Sequence, residues 1–154
     1  MKNLNRKLMV EQLDRKMAKL HLLKETEVPS KGWLNAVRTT LNMSLVQLGK
    51  RLSKTSVAIK EIEEREQSKT ITLKKLIEVG EALDLQFVYG FVPKEASVKN
   101  MIEQHARHVA REVVMRTSHT MKLEEQENRE ERVQQAITER AEQLQREMPK
   151  YLWD

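Results

Sequence analysis

The stretch from Ser44 to Glu63 constrains the fold more than any other part of the chain, because it reads as two short helices joined by a tight break. Ser44 is placed to cap the first helix: its hydroxyl can accept an orphan backbone amide, and Gln47 sits at the third helical position. Leu45, Leu48 and Leu52 face inward from this helix, and Gly49 permits close approach of a second one. Ser53-Lys54 breaks the run. Thr55 then caps a helix from Ser56 to about Arg65, with Ala58 small at the crossing and Ile59 and Ile62 as inward anchors. Ser56, Val57 and Lys60 are left on the outward face near the positive helix N-terminus, where base edges or phosphates would lie. Two such helices inside a small helical core form a helix-turn-helix arrangement.

The flanking segments supply that core. Trp33, Leu34, Val37 and Leu41 have the spacing of one inward-facing helix ending at Asn42-Met43. Thr72 caps another, Leu73 to Leu83, with Leu76, Ile77, Val79 and Leu83 inward. Upstream, residues 4–24 lack Gly and Pro and align Met9, Val10, Leu13, Met17 and Leu20, which predicts an amphipathic helix stopping near Val28-Pro29. Leu4 and Leu8 fall off that stripe and suggest a second contact face.

After Asp84 the period changes from helical to two. Leu85, Phe87, Tyr89 and Phe91 stand on one face of a strand, residues 85–92, that Pro93 ends. No second strand is evident, and a lone strand cannot satisfy its backbone groups. Its expected partner is the same strand of a second copy across a two-fold axis. Residues 97–117 predict an amphipathic helix through Val98, Met101, Ile102, Ala106, Val109, Ala110 and Val113, and 122–132 a charged connection or exposed helix. A last helix carries Val133, Ile137, Leu144 and Met148, and the chain closes on Tyr151-Leu152-Trp153-Asp154, whose Trp calls for a pocket. The expected organisation is an N-terminal helix (1–30), a helix-turn-helix domain with a dimerisation strand (31–93) and a C-terminal helical region (94–154).

Charge separates these segments. Residues 1–30 carry +3, residues 31–93 again +3 and residues 94–154 carry −1. Ser44 to Lys60 holds Lys50, Arg51, Lys54 and Lys60 and no acid, and Glu61, Glu63, Glu64 and Glu66 follow. A basic face with an acidic edge suits a polyanion. Lys54, Ser44, Gln47 and Lys69 are the candidate phosphate contacts around Thr55, Ser56, Val57 and Lys60. An enzyme fails on inventory: there is no Gly-rich phosphate loop, no Cys, no plausible Ser/His/Asp set and no paired carboxylates on a strand or loop. His105, His108 and Glu112 line up on a helix, but no further ligand pattern completes them, so neither metal nor cofactor is expected. Zero Cys fits a reducing compartment. No apolar run approaches the roughly 20 residues of a membrane span, and MKNLNRKLMV has no signal-peptide core, so the expected location is cytoplasmic and off the membrane.

Residues 33–83 resemble the phage-repressor (Xre-like) helix-turn-helix family, with Leu48-Gly49, Thr55, Ala58-Ile59 and Ile62-Glu63 as anchors and Ser53 where that family usually has Gly. The resemblance implies a structural ion pair between Arg38 and Glu63 that also sets the Arg near phosphate. Gly32-Trp33-Leu34, Met43 to Gly49, Ile71 to Lys74, the Phe-Val-Tyr strand ending in Val92-Pro93 and the terminal Leu-Trp-Asp are similar to the "mobile mystery protein A" family. That similarity implies an antitoxin-like DNA-binding partner of a Fic-domain toxin. The strand after the helix-turn-helix also resembles the antitoxin of the Hip persistence module, where it pairs across a dimer axis.

The expected fold is therefore mainly α, with an Xre-like helix-turn-helix core and one β-strand forming an intermolecular two-stranded ribbon. The expected function is sequence-specific binding of a pseudo-palindromic double-stranded operator by a homodimer, repressing its own toxin–antitoxin operon. The alternatives are an antitoxin that neutralises a Fic-domain toxin through residues 94–154, and a stand-alone phage-type repressor. Thr138 and Glu142 have the spacing of a Fic-inhibitory helix, with Gln143 where that motif needs Gly or Asn.

Overall fold

The helices between Trp33 and Ala82 are short, and neighbouring side chains start most of them. The computed structural model describes residues 1–120 and 126–154. It is mainly helical, with α1 (Lys2–Ala18), α2 (His21–Lys24), α3 (Trp33–Thr40), α4 (Leu45–Leu52), α5 (Ser56–Gln67), α6 (Leu73–Ala82), α7 (Val98–Thr120), α8 (Gln126–Glu147) and a closing 3-10 helix, Lys150–Trp153. None of these helices is long and apolar enough to cross a membrane. The chain divides into two compact units: Leu23–Gly90, and Met1–Leu22 together with Phe91–Asp154. The N-terminal and C-terminal segments, separate in the sequence reading, thus share one unit.

In the Leu23–Gly90 unit, Leu34, Leu48, Ile59, Ile62, Val79 and Leu83 form the core, with Val37, Leu45, Leu52 and Leu76 packed around it. Trp33, Leu41 and Ile77, expected inward, are exposed. Each lies at the edge of its helix stripe, and Leu34, Val37 and Val79 already fill the space beneath. Ser44, Thr55 and Thr72 cap α4, α5 and α6, each accepting a bond from the third helical amide. Four helix ends carry a left-handed residue that is not glycine: Asn42, Ser53, Lys69 and Asp84. After each, an amide bonds back across six residues, Met43 to Arg38, Lys54 to Gly49, Thr70 to Arg65 and Leu85 to Gly80. This closes the orphan carbonyls of all four helices in one way.

Residues 85–92, expected as a strand that pairs with a second copy, form no strand in the single chain. The Phe87 and Tyr89 rings stack at 5.8 Å and 18°, as residues two apart on an extended chain can. Leu85, Tyr89 and Phe91 are exposed.

In the other unit, Ile102, Ala106 and Ala110 of α7 close on Ile137, Ala141 and Leu144 of α8. The alanines let the helices approach. The stripe expected over 4–24 is interrupted at Lys19-Leu20, between α1 and α2. Of its apolar residues only Val10 packs on the core, while Met9 and Leu13 are exposed. Charged groups orient α1 instead. The Asp14 carboxylate accepts from the amides of Val98 (2.8 Å) and Lys99 (3.1 Å) at the start of α7. Arg6 donates to the carbonyls of Glu147 and Met148 at the end of α8. Each charge complements the end of the helix dipole it meets.

The closing tail docks on its own chain through Leu152, which is fully buried. Trp153, expected in a pocket, is half exposed and stacks on His105 at 5.0 Å. The charged stretch 122–132 lies partly outside the described residues; from Gln126 it is helical.

Candidate nucleic-acid interface

The α4–α5 pair and its turn are held by bonds that the local sequence specifies. Ser44 Oγ accepts from Gln47 N at 3.1 Å, and Gln47 Oε1 accepts from Ser44 N at 2.8 Å, a closed capping box. Both candidate phosphate contacts therefore have a structural task, and the Gln47 amide nitrogen remains free to donate outward. A Cβ at position 49 would run into the Lys54 carbonyl oxygen, so Gly49 is required by the turn itself rather than by the crossing helix. Thr55 Oγ1 accepts from Ala58 N at 3.1 Å and fixes where α5 begins.

The first turns of α5 then present their outer side. Val57 is 66% exposed, an apolar side chain on an otherwise polar surface. Lys60 is also exposed, and its approach to Glu64 at 4.0 Å is a loose surface pair that leaves the ammonium available. Ser56 is half-buried beside them, and Ile59, Ile62 and Glu63 point the other way. Lys69 sits in the left-handed turn that ends α5, apart from this face in sequence and exposed.

Glu63 meets Arg38 in a bidentate contact, Arg38 Nε to Oε1 at 2.5 Å and Nη2 to Oε2 at 3.1 Å. Asn35 Nδ2 donates to the same carboxylate at 2.8 Å, and Arg38 Nη1 to the Met43 carbonyl at 2.8 Å. The hydrogen bond that Arg38 donates to Glu63 holds the Arg38 proton more firmly than usual, against the opposing effect of desolvation. This network ties α3, α5 and the turn before α4. Glu66 reaches back to accept from the amides of Trp33 (2.8 Å) and Leu34 (2.9 Å). Half of the acidic edge read from sequence is thus spent inside the fold, and only Glu61 and Glu64 remain on the surface.

Two basic residues escaped the sequence reading. Lys75 bonds Glu78 at 2.8 Å and holds that carboxyl below the usual carboxylate range, with Lys54 and Lys74 adding to the effect. Lys54, Lys74 and Lys75 thus all bear on the Glu78 carboxylate of α6. The signal was present as a Lys-Lys pair directly after the Thr72 cap. Arg51, in contrast, donates to the Ala82 carbonyl at 3.0 Å and belongs to the scaffold.

The other candidates lie in the second unit. His105 stacks on Trp153, and His108 approaches Glu112 at 3.6 Å. Among the described residues no group of three His, Asp or Glu is gathered that could hold a metal ion. Glu142 is exposed, and Gln143 bridges Arg140 and Glu147 at 2.8 Å each. Comparison of the chain with protein-family models, with curated proteins and with solved structures gives no match.

Proposed function

We propose that the chain is a sequence-specific double-stranded DNA-binding regulator built on an Xre-like helix-turn-helix, with α5 as the helix that reads the major groove. The observation that carries this reading is the outer side of α5: Val57 and Lys60 stand exposed directly after a capped helix start. An exposed valine gains nothing in water and suits a thymine methyl; a lysine one turn on suits a guanine edge or a phosphate. Lys54, Lys74 and Lys75 add cations nearby for backbone contact. The exposed Leu85, Tyr89 and Phe91, with Phe87, support a homodimer in which the extended segments 85–92 pair as a ribbon. Two recognition helices would then enter successive major grooves of a pseudo-palindromic site. The family resemblance extends the reading to autorepression by an antitoxin beside a Fic-domain toxin, a partner that co-purification with the adjacent gene product tests.

A mobility-shift titration on the upstream DNA and on random duplex tests the core of this reading. Lys60→Ala should weaken binding to the upstream duplex about tenfold and change random-duplex binding far less. Equal loss on both would reduce Lys60 to a phosphate contact and remove the case for α5 as the reading helix. Phe87→Ser with Tyr89→Ser should sediment as a monomer; a persisting dimer would place the interface elsewhere.

A further inference from the structure

We infer that α1 is a second, sequence-independent contact for the phosphate backbone of duplex DNA. The inference rests on the DNA-binding reading above but not on base recognition by α5.

The first 19 residues hold Lys2, Arg6, Lys7, Arg15, Lys16 and Lys19 against Glu11 and Asp14. The fold sharpens that imbalance. Asp14 is committed to the α7 amides and Arg6 to the α8 carbonyls. Lys2, Lys7, Arg15, Lys16 and Lys19 are all exposed and make no ion pair among the described residues. Five free cations against Glu11 alone leave residues 1–19 with the same +4 as the acid-free stretch Ser44–Lys60.

Ordinary solvation does not account for this pattern. In the same unit α8 shows what a merely solvated surface looks like here: Arg and Glu alternate along it and nearly cancel. Helix stability accounts for only part of it: Arg15 and Lys16 lie in the last turn, where positive charge suits the dipole. Lys2, Arg6 and Lys7 occupy the first two turns, where positive charge opposes the dipole, and no acid lies in the first turn. Glu11 has both Lys7 and Arg15 four residues away and pairs with neither.

The chemistry selects the partner. A helix that lies on a lipid surface sorts its apolar and basic residues onto opposite faces. On α1 they are mixed: Leu4, Leu8, Met9 and Leu13 are exposed among the cations, and no aromatic residue is present. A phosphate backbone needs cations at several angles and no apolar face.

The test uses the full chain carrying Lys2→Gln, Lys7→Gln, Arg15→Gln, Lys16→Gln and Lys19→Gln together, which leaves Asp14 and Arg6 in place. Fluorescence anisotropy on a labelled random duplex and on the upstream duplex is followed across KCl concentration. The expected result is a slope of log K against log[KCl] smaller by about 3, and at least tenfold weaker random-duplex binding at low salt. Preference for the upstream duplex should survive. Acetylation footprinting of the wild-type chain keeps the inference testable should the variant fold poorly: Lys2, Lys7, Lys16 and Lys19 should be protected by duplex. An unchanged slope, or no protection, overturns the α1 contact. Loss of binding to phosphatidylglycerol vesicles with duplex binding intact also overturns it, in favour of a membrane. A wild-type chain that binds both duplexes equally overturns only the α5 reading, and one that binds neither overturns both.

Discussion

The two units solve the same problem with different parts. In each, a carboxylate from a distant element covers the first two amides of a core helix: Glu66 for α3, and Asp14 for α7, where the adjacent Ser97 accepts from the third amide. Beyond that they diverge. From Leu23 to Gly90, α3 to α6 are 8–12 residues long; α4, α5 and α6 start on an adjacent Ser or Thr, α3 starts on Gly32, and all four stop on a left-handed residue, as α8 does at Met148. Helices this short gain little from their own hydrogen bonds, so caps and tertiary contacts decide whether they form. In the other unit, helices of 17–23 residues supply their own cooperativity, and long-range groups decide only how they meet. The unit with the short capped helices is the one that carries the candidate interface.

The largest expected effect breaks this contrast at its centre. Glu63 is the one charged residue among the described residues that is buried, and it answers Arg38 and Asn35 together. Glu63→Ala leaves a guanidinium without its partner in a largely dry site and should cost about 3–5 kcal/mol in urea denaturation. Amide exchange should quicken across residues 33–83 and stay slow in the core of α7. A cost below about 1 kcal/mol would show that the short helices hold without the pair.

The paired caps sharpen the comparison at intermediate size. Asp14→Asn and Glu66→Gln keep each side chain's shape but lose its charge and one acceptor, so each should cost about 1–2 kcal/mol. The consequences should differ. Asp14→Asn should loosen α1, which has no buried residue and only Val10 against the core, and the exchange of α1 amides reads this directly. Glu66→Gln should loosen the Trp33 end of α3 and leave the buried Leu34 in place. If α1 protection is unchanged in Asp14→Asn, apolar contacts rather than the cap hold it.

Much of the densely capped unit was legible because its signals are local. Ser44, Thr55 and Thr72 announce helix starts, and Leu48, Ile59, Ile62 and Val79 repeat at core spacing. The remote caps were not legible, since nothing near Asp14 or Glu66 in sequence marks the amides they meet. Hydrophobicity alone misplaced residues at stripe edges: Met9, Leu13, Trp33 and Ile77 looked inward but are exposed, while Val10, Leu34 and Val79 pack on the cores. In the tail the aromatic residues drew attention, whereas Leu152 between them is the buried one. Of the candidate interface, the outward run Ser56, Val57, Lys60 follows from helix periodicity. Lys74 and Lys75 emerged only through the Glu78 carboxylate, on which they and Lys54 all act.

The smallest effect concerns how the short helices stop. Asn42, Ser53, Lys69 and Asp84 hold φ between 53° and 61°, a region where a Cβ crowds the following carbonyl. Asn and Asp tolerate it through local hydrogen bonding, and Ser and Lys have less to offset the strain. Ser53→Gly removes a strain of about 1 kcal/mol, and the added freedom of the unfolded chain returns about half of that. The net expectation is a stabilisation of about 0.5 kcal/mol by denaturant midpoint, with Lys69→Gly close behind and Asn42→Gly near zero. The Lys54 to Gly49 bond across the turn should persist, so upstream-duplex binding should not change. If Ser53→Gly destabilises instead, the serine side chain is itself holding the turn between α4 and α5. Local caps would then control the ends of these helices as tightly as they control the starts.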